Sequence, residues 1–157
     1  MKTNQIGLEN KAVKELIDKL NDLLANYQMF YQNTRGFHWN IRGYKFFELH
    51  TKFEELYDDL HAKIDEIAER ILTLGGTPLH TFEDYVKISA IKAAKDASED
   101  VVCVQSLLDA FKTLLEKQRE ILELSDKMDD EGTNAMASDY IREQEKLVWM
   151  YSSWLNK

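Results

Sequence analysis

The chain has 157 residues, 44% of them hydrophobic and 31% charged, with a net charge of −8. That size and balance fit one globular domain over residues 1–157, and the acidic surplus excludes the basic footprint of a nucleic-acid binder. No apolar run approaches the ~20 residues of a membrane span. Residues 1–10 lack the basic and apolar regions of a signal peptide, and Cys103 stands alone, so a cytoplasmic, reducing location is expected.

One proline and six glycines, in a sequence rich in Leu, Lys, Glu, Asp and Ala, predict an all-helical protein. The first helical pattern runs through Val13, Leu16, Ile17, Leu20, Leu23, Leu24, Tyr27, Phe30 and Tyr31 at three-and-four spacing. Gly36 and Gly43 bracket the first gap. The second pattern carries Phe46, Phe53, Leu56, Tyr57, Leu60, Ile64, Ile67 and Ile71 and stops at Gly75, Gly76 and Pro78. A long link follows, and Thr81-Phe82-Glu83-Asp84 within it reads as the capped start of a short helix. A third pattern runs from Val101 through Phe111 to Leu122, Gly132 marks the next break, and a fourth runs from Met136 to Leu155. Four long amphipathic helices with one long crossover connection make a four-helix bundle.

A sparse set of residues, His38, His50, Glu54, Asp65 and Glu69, stands out against this pattern. Taking His50 as reference, Glu54 lies about 40° round the second helix, Asp65 about 60° and Glu69 about 100°. All share one side, next to the apolar stripe, where carboxylates without a cation are expensive to bury. Mixed imidazole and carboxylate donors suit a transition ion such as Fe(II). A solvated acidic face with an interface histidine is the plainer reading of the same residues. His50 and Asp65 are fifteen positions apart, about 22 Å along a straight helix, so no single ion touches both. Either they serve different purposes, or two copies of the helix cross antiparallel near Tyr57 and Asp58 and share two equivalent sites. His61, one turn before Asp65, reads as an interface or supporting residue. The third and fourth helices hold no histidine, which argues against a Glu-x-x-His metal centre inside the bundle.

Gly36-Phe37-His38-Trp39-Asn40, the following His50, Asp65-Glu66-Ile67-Ala68-Glu69-Arg70 and Asp130-Glu131-Gly132-Thr133 together resemble the signature of Dps-type miniferritins. The resemblance covers nearly the whole chain. It implies a ferritin-like four-helix bundle, with the short helix in the link between the second and third helices, assembled as a homododecameric hollow shell. It further implies a ferroxidase site at the two-fold interface, with His38 and His50 from one subunit and Asp65 and Glu69 from its partner. Glu54 takes the place of a further site carboxylate, and Trp39 that of an aromatic electron donor beside the iron. The implied reaction is oxidation of Fe(II) by hydrogen peroxide, or by dioxygen, followed by storage of ferric mineral and protection from oxidative stress. Glu48, Glu55 and Asp59 are candidates for mineral nucleation, and Asp126 and Asp130 for the pores that admit iron. The alternative implied by the family is a nucleoid-associated protein that protects DNA without chemistry. Twelve copies of a −8 chain sum to about −96, which repels phosphate, so DNA binding is not expected.

Overall fold

A computed structural model describes residues 2–157. It contains α1 (Asn10–Asn40), α2 (Phe46–Thr73), α3 (Phe82–Ile88), α4 (Asp100–Lys127) and α5 (Glu131–Trp154). The short connections 41–45 and 128–130 make α1 with α2, and α4 with α5, antiparallel neighbours, and α1 also packs on α4. The long link carries α3, which lies against α1. The four-helix bundle with a short fifth helix in the crossover is therefore as the sequence predicts.

Leucines and aromatics at helical spacing fill the interior: Leu16, Leu20, Phe30, Phe53, Leu60, Phe111 and Leu114 are all buried. Three asparagines on α1 hold the link in place. Asn21 Oδ1 accepts from Leu79 N, Asn26 Oδ1 from Ala90 N and Ile91 N, and Asn33 Oδ1 from Ala94 N, all at 2.8–3.1 Å. Each satisfies backbone donors that an irregular segment could not pair within itself. α3 begins where expected, because Thr81 Oγ1 accepts from Asp84 N at 3.2 Å.

Two breaks differ from the sequence expectation. α1 runs through Gly36 to Asn40, so His38 sits in the last turn of a helix rather than in a loop. Burial of Phe37 and Ile41 anchors that turn and outweighs the ~1 kcal/mol that a mid-helix glycine costs. The chain then turns at Gly43, whose φ of +106° suits glycine alone. Gly132 likewise lies inside the first turn of α5, and the break before it falls at Asp129, in left-handed conformation with φ 58°. A Cβ on Gly132 would stand 2.8 Å from Arg70 Nη2, so glycine is there for close approach and not to stop a helix.

Candidate metal centre

Because α1 extends past Gly36 and the turn to α2 is short, the last turn of α1 faces the first turns of α2. His38 Nδ1 donates to His50 O at 2.6 Å, and His50 Nδ1 donates to His38 O at 2.7 Å. The carbonyl of His38 is open to this bond because it lies at a helix end, where Arg42 N turns away to Ser98 O. Carbonyls only accept, so both Nδ1 atoms carry a proton and Nε2 is the nitrogen of each ring left for a ligand role. The rings stack at 3.8 Å and 12°. Phe46 covers His50 at 4.8 Å, and Tyr57 meets His38 edge-on at 5.3 Å. The pair is thus fixed in tautomer and in orientation, as histidine ligands are by partners on their other nitrogen. Burial, then the charges of Glu54 and Asp58, push the Tyr57 phenol up, so it stays neutral beside the pair.

Glu54, Asp65 and Glu69 are exposed on α2, and none forms a salt bridge among the described residues. Asp65 lines a groove of about 500 Å³ with His61, His80, Leu79 and Tyr85. Among the described residues, no three His, Cys, Asp or Glu side chains converge within the chain. The imidazole pair and the acid pair therefore stand apart on α2, as the fifteen-residue spacing requires. Trp39 is 57% exposed, with the Arg35 guanidinium 4.9 Å over its ring. His61 lies against Tyr31 at 5.7 Å.

The remaining acids fall into different environments. Glu48 pairs with Lys45 at 3.4 Å and Glu55 with Lys52 at 3.0 Å, both exposed. Asp59 is held on both oxygens by Lys63. Asp126 is exposed at the end of α4. The pore expectation for Asp130 is corrected. Its carboxylate is only 2% exposed, caps α5 by accepting from Thr133 N at 3.0 Å, and accepts from Arg70 Nη2 at 2.6 Å. Thr133 Oγ1 donates to its second oxygen and accepts in turn from Arg70 Nε at 2.9 Å. The sequence reading missed this network. Its signal was the D-x-x-T cap at the start of the last helix.

Residues 17–157 match the ferritin family model, described as a ferritin-like domain. The chain is 43% identical to the DNA protection during starvation protein of Porphyromonas gingivalis, over 96% of this chain and 95% of that one. Its fold superposes on the Dps protein of Vibrio cholerae with a TM-score of 0.97 at 57% identity, covering 99% and 98% of the two chains. That protein is described as a member of a broad superfamily of ferritin-like diiron-carboxylate proteins. A Listeria innocua Dps variant also superposes, with a TM-score of 0.87 at 28% identity and coverage of 90% and 95%. It carries glycine at two histidines twelve positions apart, the spacing of His38 and His50 here. The fold, the extent of the match and the level of identity agree: this chain belongs to the ferritin-like family, as a Dps-type miniferritin.

Proposed function

We propose that the protein stores and detoxifies iron as a ferroxidase, with its catalytic sites shared between paired subunits of a twelve-subunit shell. The observation that carries this reading is the reciprocal lock of His38 and His50, which engages both Nδ1 atoms and leaves both Nε2 atoms for a ligand role, while no group of three His, Cys, Asp or Glu side chains among the described residues completes a site. Asp65 and Glu69 of a partner subunit, exposed and free of lysine, supply the missing oxygens, and Glu54 is the further carboxylate. Two Fe(II) ions bind as substrate. They give hydrogen peroxide two electrons, the O–O bond breaks, and two protons complete two waters, so no hydroxyl radical leaves. Trp39 is the nearby donor that quenches a stray radical.

Assembly into the shell is supported by large apolar side chains that the single chain leaves in water, among them Tyr44, Phe47, Phe82 and Trp149. Asp126 is the acid we place at the iron entry. Glu48 and Glu55, whose surface lysine pairs are weak, are the residues we place at mineral nucleation. Protection by iron removal needs no DNA contact. Residues 4–8 are held by Asn4, whose Oδ1 accepts from Ile6 N and Leu8 N and whose Nδ2 donates to Leu74 O. With a net charge of −8 per chain, we propose a cytoplasmic protein that does not bind DNA. No described helix is long and apolar enough to cross a membrane. The direct test is the double variant His50→Ala with Asp65→Ala. Its shell should assemble and lose fast Fe(II) oxidation; oxidation at the parental rate would show the site misassigned.

A further inference from the structure

The cations of α2 all lie on one side of the helix. Counted from His50 at about 100° per residue, Lys52, Lys63 and Arg70 fall at about 200–220°. Each is paired there within its own chain: Lys52 with Glu55 at 3.0 Å, Lys63 with Asp59 at 2.7 Å and Glu143 at 2.8 Å, and Arg70 with Asp130 at 2.6 Å. The other side holds Glu54, Asp58, Asp65 and Glu69, at about 40–100°. All four are exposed, and none forms a salt bridge among the described residues. α1 brings the Arg35 guanidinium to this side, 5.3 Å from the Tyr31 ring centroid and 4.9 Å from that of Trp39. Tyr31 in turn packs on Tyr57 and His61 of α2. One such charge does not balance four carboxylates.

The same face is apolar at both ends. Phe47 and Leu72 lie at about 60° and 40° round the helix. They are 83% and 58% exposed. An antiparallel pairing that sets His50 against the partner's Asp65 and Glu69 also sets Phe47 against the partner's turn from Ala68 to Leu72, and does so at both ends. These apolar contacts close the outer end of each shared site and draw the two faces together. Between them, the pairing brings eight carboxylates out of water with no lysine on the face, which drives the faces apart.

We infer that docking of this α2 face on a second copy of itself is controlled by a divalent cation, which offsets the facing acids and locks the pair. This control rests on the shared site proposed above, and it makes that site govern assembly as well as chemistry. An ion that binds the pair and not the separate chains shifts the equilibrium by mass action. With two sites per pair, free ion at ten times its dissociation constant raises the pairing constant about a hundredfold. A lysine on this face would supply the same charge permanently. Confining Lys52, Lys63 and Arg70 to the far side leaves that part to the ion.

The test raises urea on the assembled protein in chelator or in Mn2+, with assembly read by light scattering and helix by circular dichroism. Wild type is expected to come apart at lower urea in chelator than in Mn2+. Asp65→Asn with Glu69→Gln is expected to outlast wild type in chelator and to ignore Mn2+. Asp58→Asn, which removes a charge without touching a proposed ligand, is expected to outlast wild type in chelator and keep the Mn2+ shift. Equal wild-type midpoints in the two media overturn the inference. So does a charge-removing variant that comes apart no later than wild type in chelator, because acids with a purely structural role would be missed there. The face itself is read from chains carrying both Phe47→Cys and Leu72→Cys. These positions are about 37 Å apart on one helix, so a bridge between them joins two chains. Cys103 is buried and does not compete. Oxidation should give linked dimers that neither single-cysteine chain gives, and their absence in an assembled protein overturns the pairing. If Mn2+ leaves the midpoint unmoved while His50→Ala with Asp65→Ala still abolishes fast oxidation, the control by cation fails and the ferroxidase stands.

Discussion

Separating the two halves of the proposed site into different chains gives a quantitative prediction. One chain carries His38→Ala and His50→Ala, and the other carries Asp65→Ala and Glu69→Ala. The halves lie about 22 Å apart along α2, so neither chain can repair itself. In a mixed pair, one shared site joins both damaged halves and is dead. The other joins the intact imidazoles of the second chain to the intact acids of the first. Random reassembly of equal amounts makes half of all pairs mixed, and each mixed pair keeps one site of two, so about a quarter of the wild-type sites return. Asp65 and Glu69 are exposed and form no salt bridge among the described residues, so their loss should leave the fold intact. Losing the two imidazoles removes two hydrogen bonds to carbonyls, worth about 1 kcal/mol each, from a core large enough to absorb that loss. The assay unfolds and co-reassembles the chains, confirms mixed shells by native mass spectrometry, and measures the fast phase of Fe(II) oxidation. Mixed shells with no recovery, or a fast phase in either homogeneous variant, would refute the shared site.

Three further outcomes follow from the same structure. Asp130→Ala removes the cap of α5 and leaves the Arg70 guanidinium without its buried counter-charge, so stability should fall by about 3 kcal/mol in urea unfolding; an unchanged midpoint would mean that the network is not formed in solution. Alkali should destabilise the fold. Burial pushes the Cys103 thiol up to about 11 and the Tyr151 phenol up to about 12, and raises Tyr27 and Tyr140 further. For Lys63, burial acts downward and the bonds from Asp59 and Glu143 outweigh it, again raising it. The folded state thus keeps protons that the unfolded chain releases from about pH 9 for the thiol and about pH 10 for the phenols, and stability drops as pH rises through that window; a urea midpoint constant from pH 9 to 11 would contradict this. Duplex DNA should show no mobility shift with the assembled protein at neutral pH and physiological salt with free metal chelated, and a clear shift would restore the nucleoid-binding reading.

The legible parts of the sequence are those governed by local periodicity. Three-and-four spacing disclosed four long helices, and Thr81 with Asp84 disclosed the short one. The fifteen-residue gap from His50 to Asp65 showed that no single ion touches both residues of one helix. What depends on tertiary packing was not legible. Gly36 and Gly132 read as breakers, yet buried Phe37 and Ile41 carry α1 past the first, and the Arg70 guanidinium packs against the second. Asp130 was a pore candidate by resemblance, because nothing local tells that Arg70, sixty positions earlier, reaches it. The reciprocal histidine bonds needed a free carbonyl at the end of α1, which exists only because the helix ends two residues after His38.

The most direct test of the central claim is a stoichiometric pulse of hydrogen peroxide onto apo protein loaded anaerobically with Fe(II), with ferric absorbance followed against an oxygen-only control. The account predicts oxidation faster than in buffer, two Fe(II) consumed per peroxide, and loss of the fast phase in His50→Ala with Asp65→Ala. Oxidation no faster than in buffer, in a protein shown to be assembled, would contradict it.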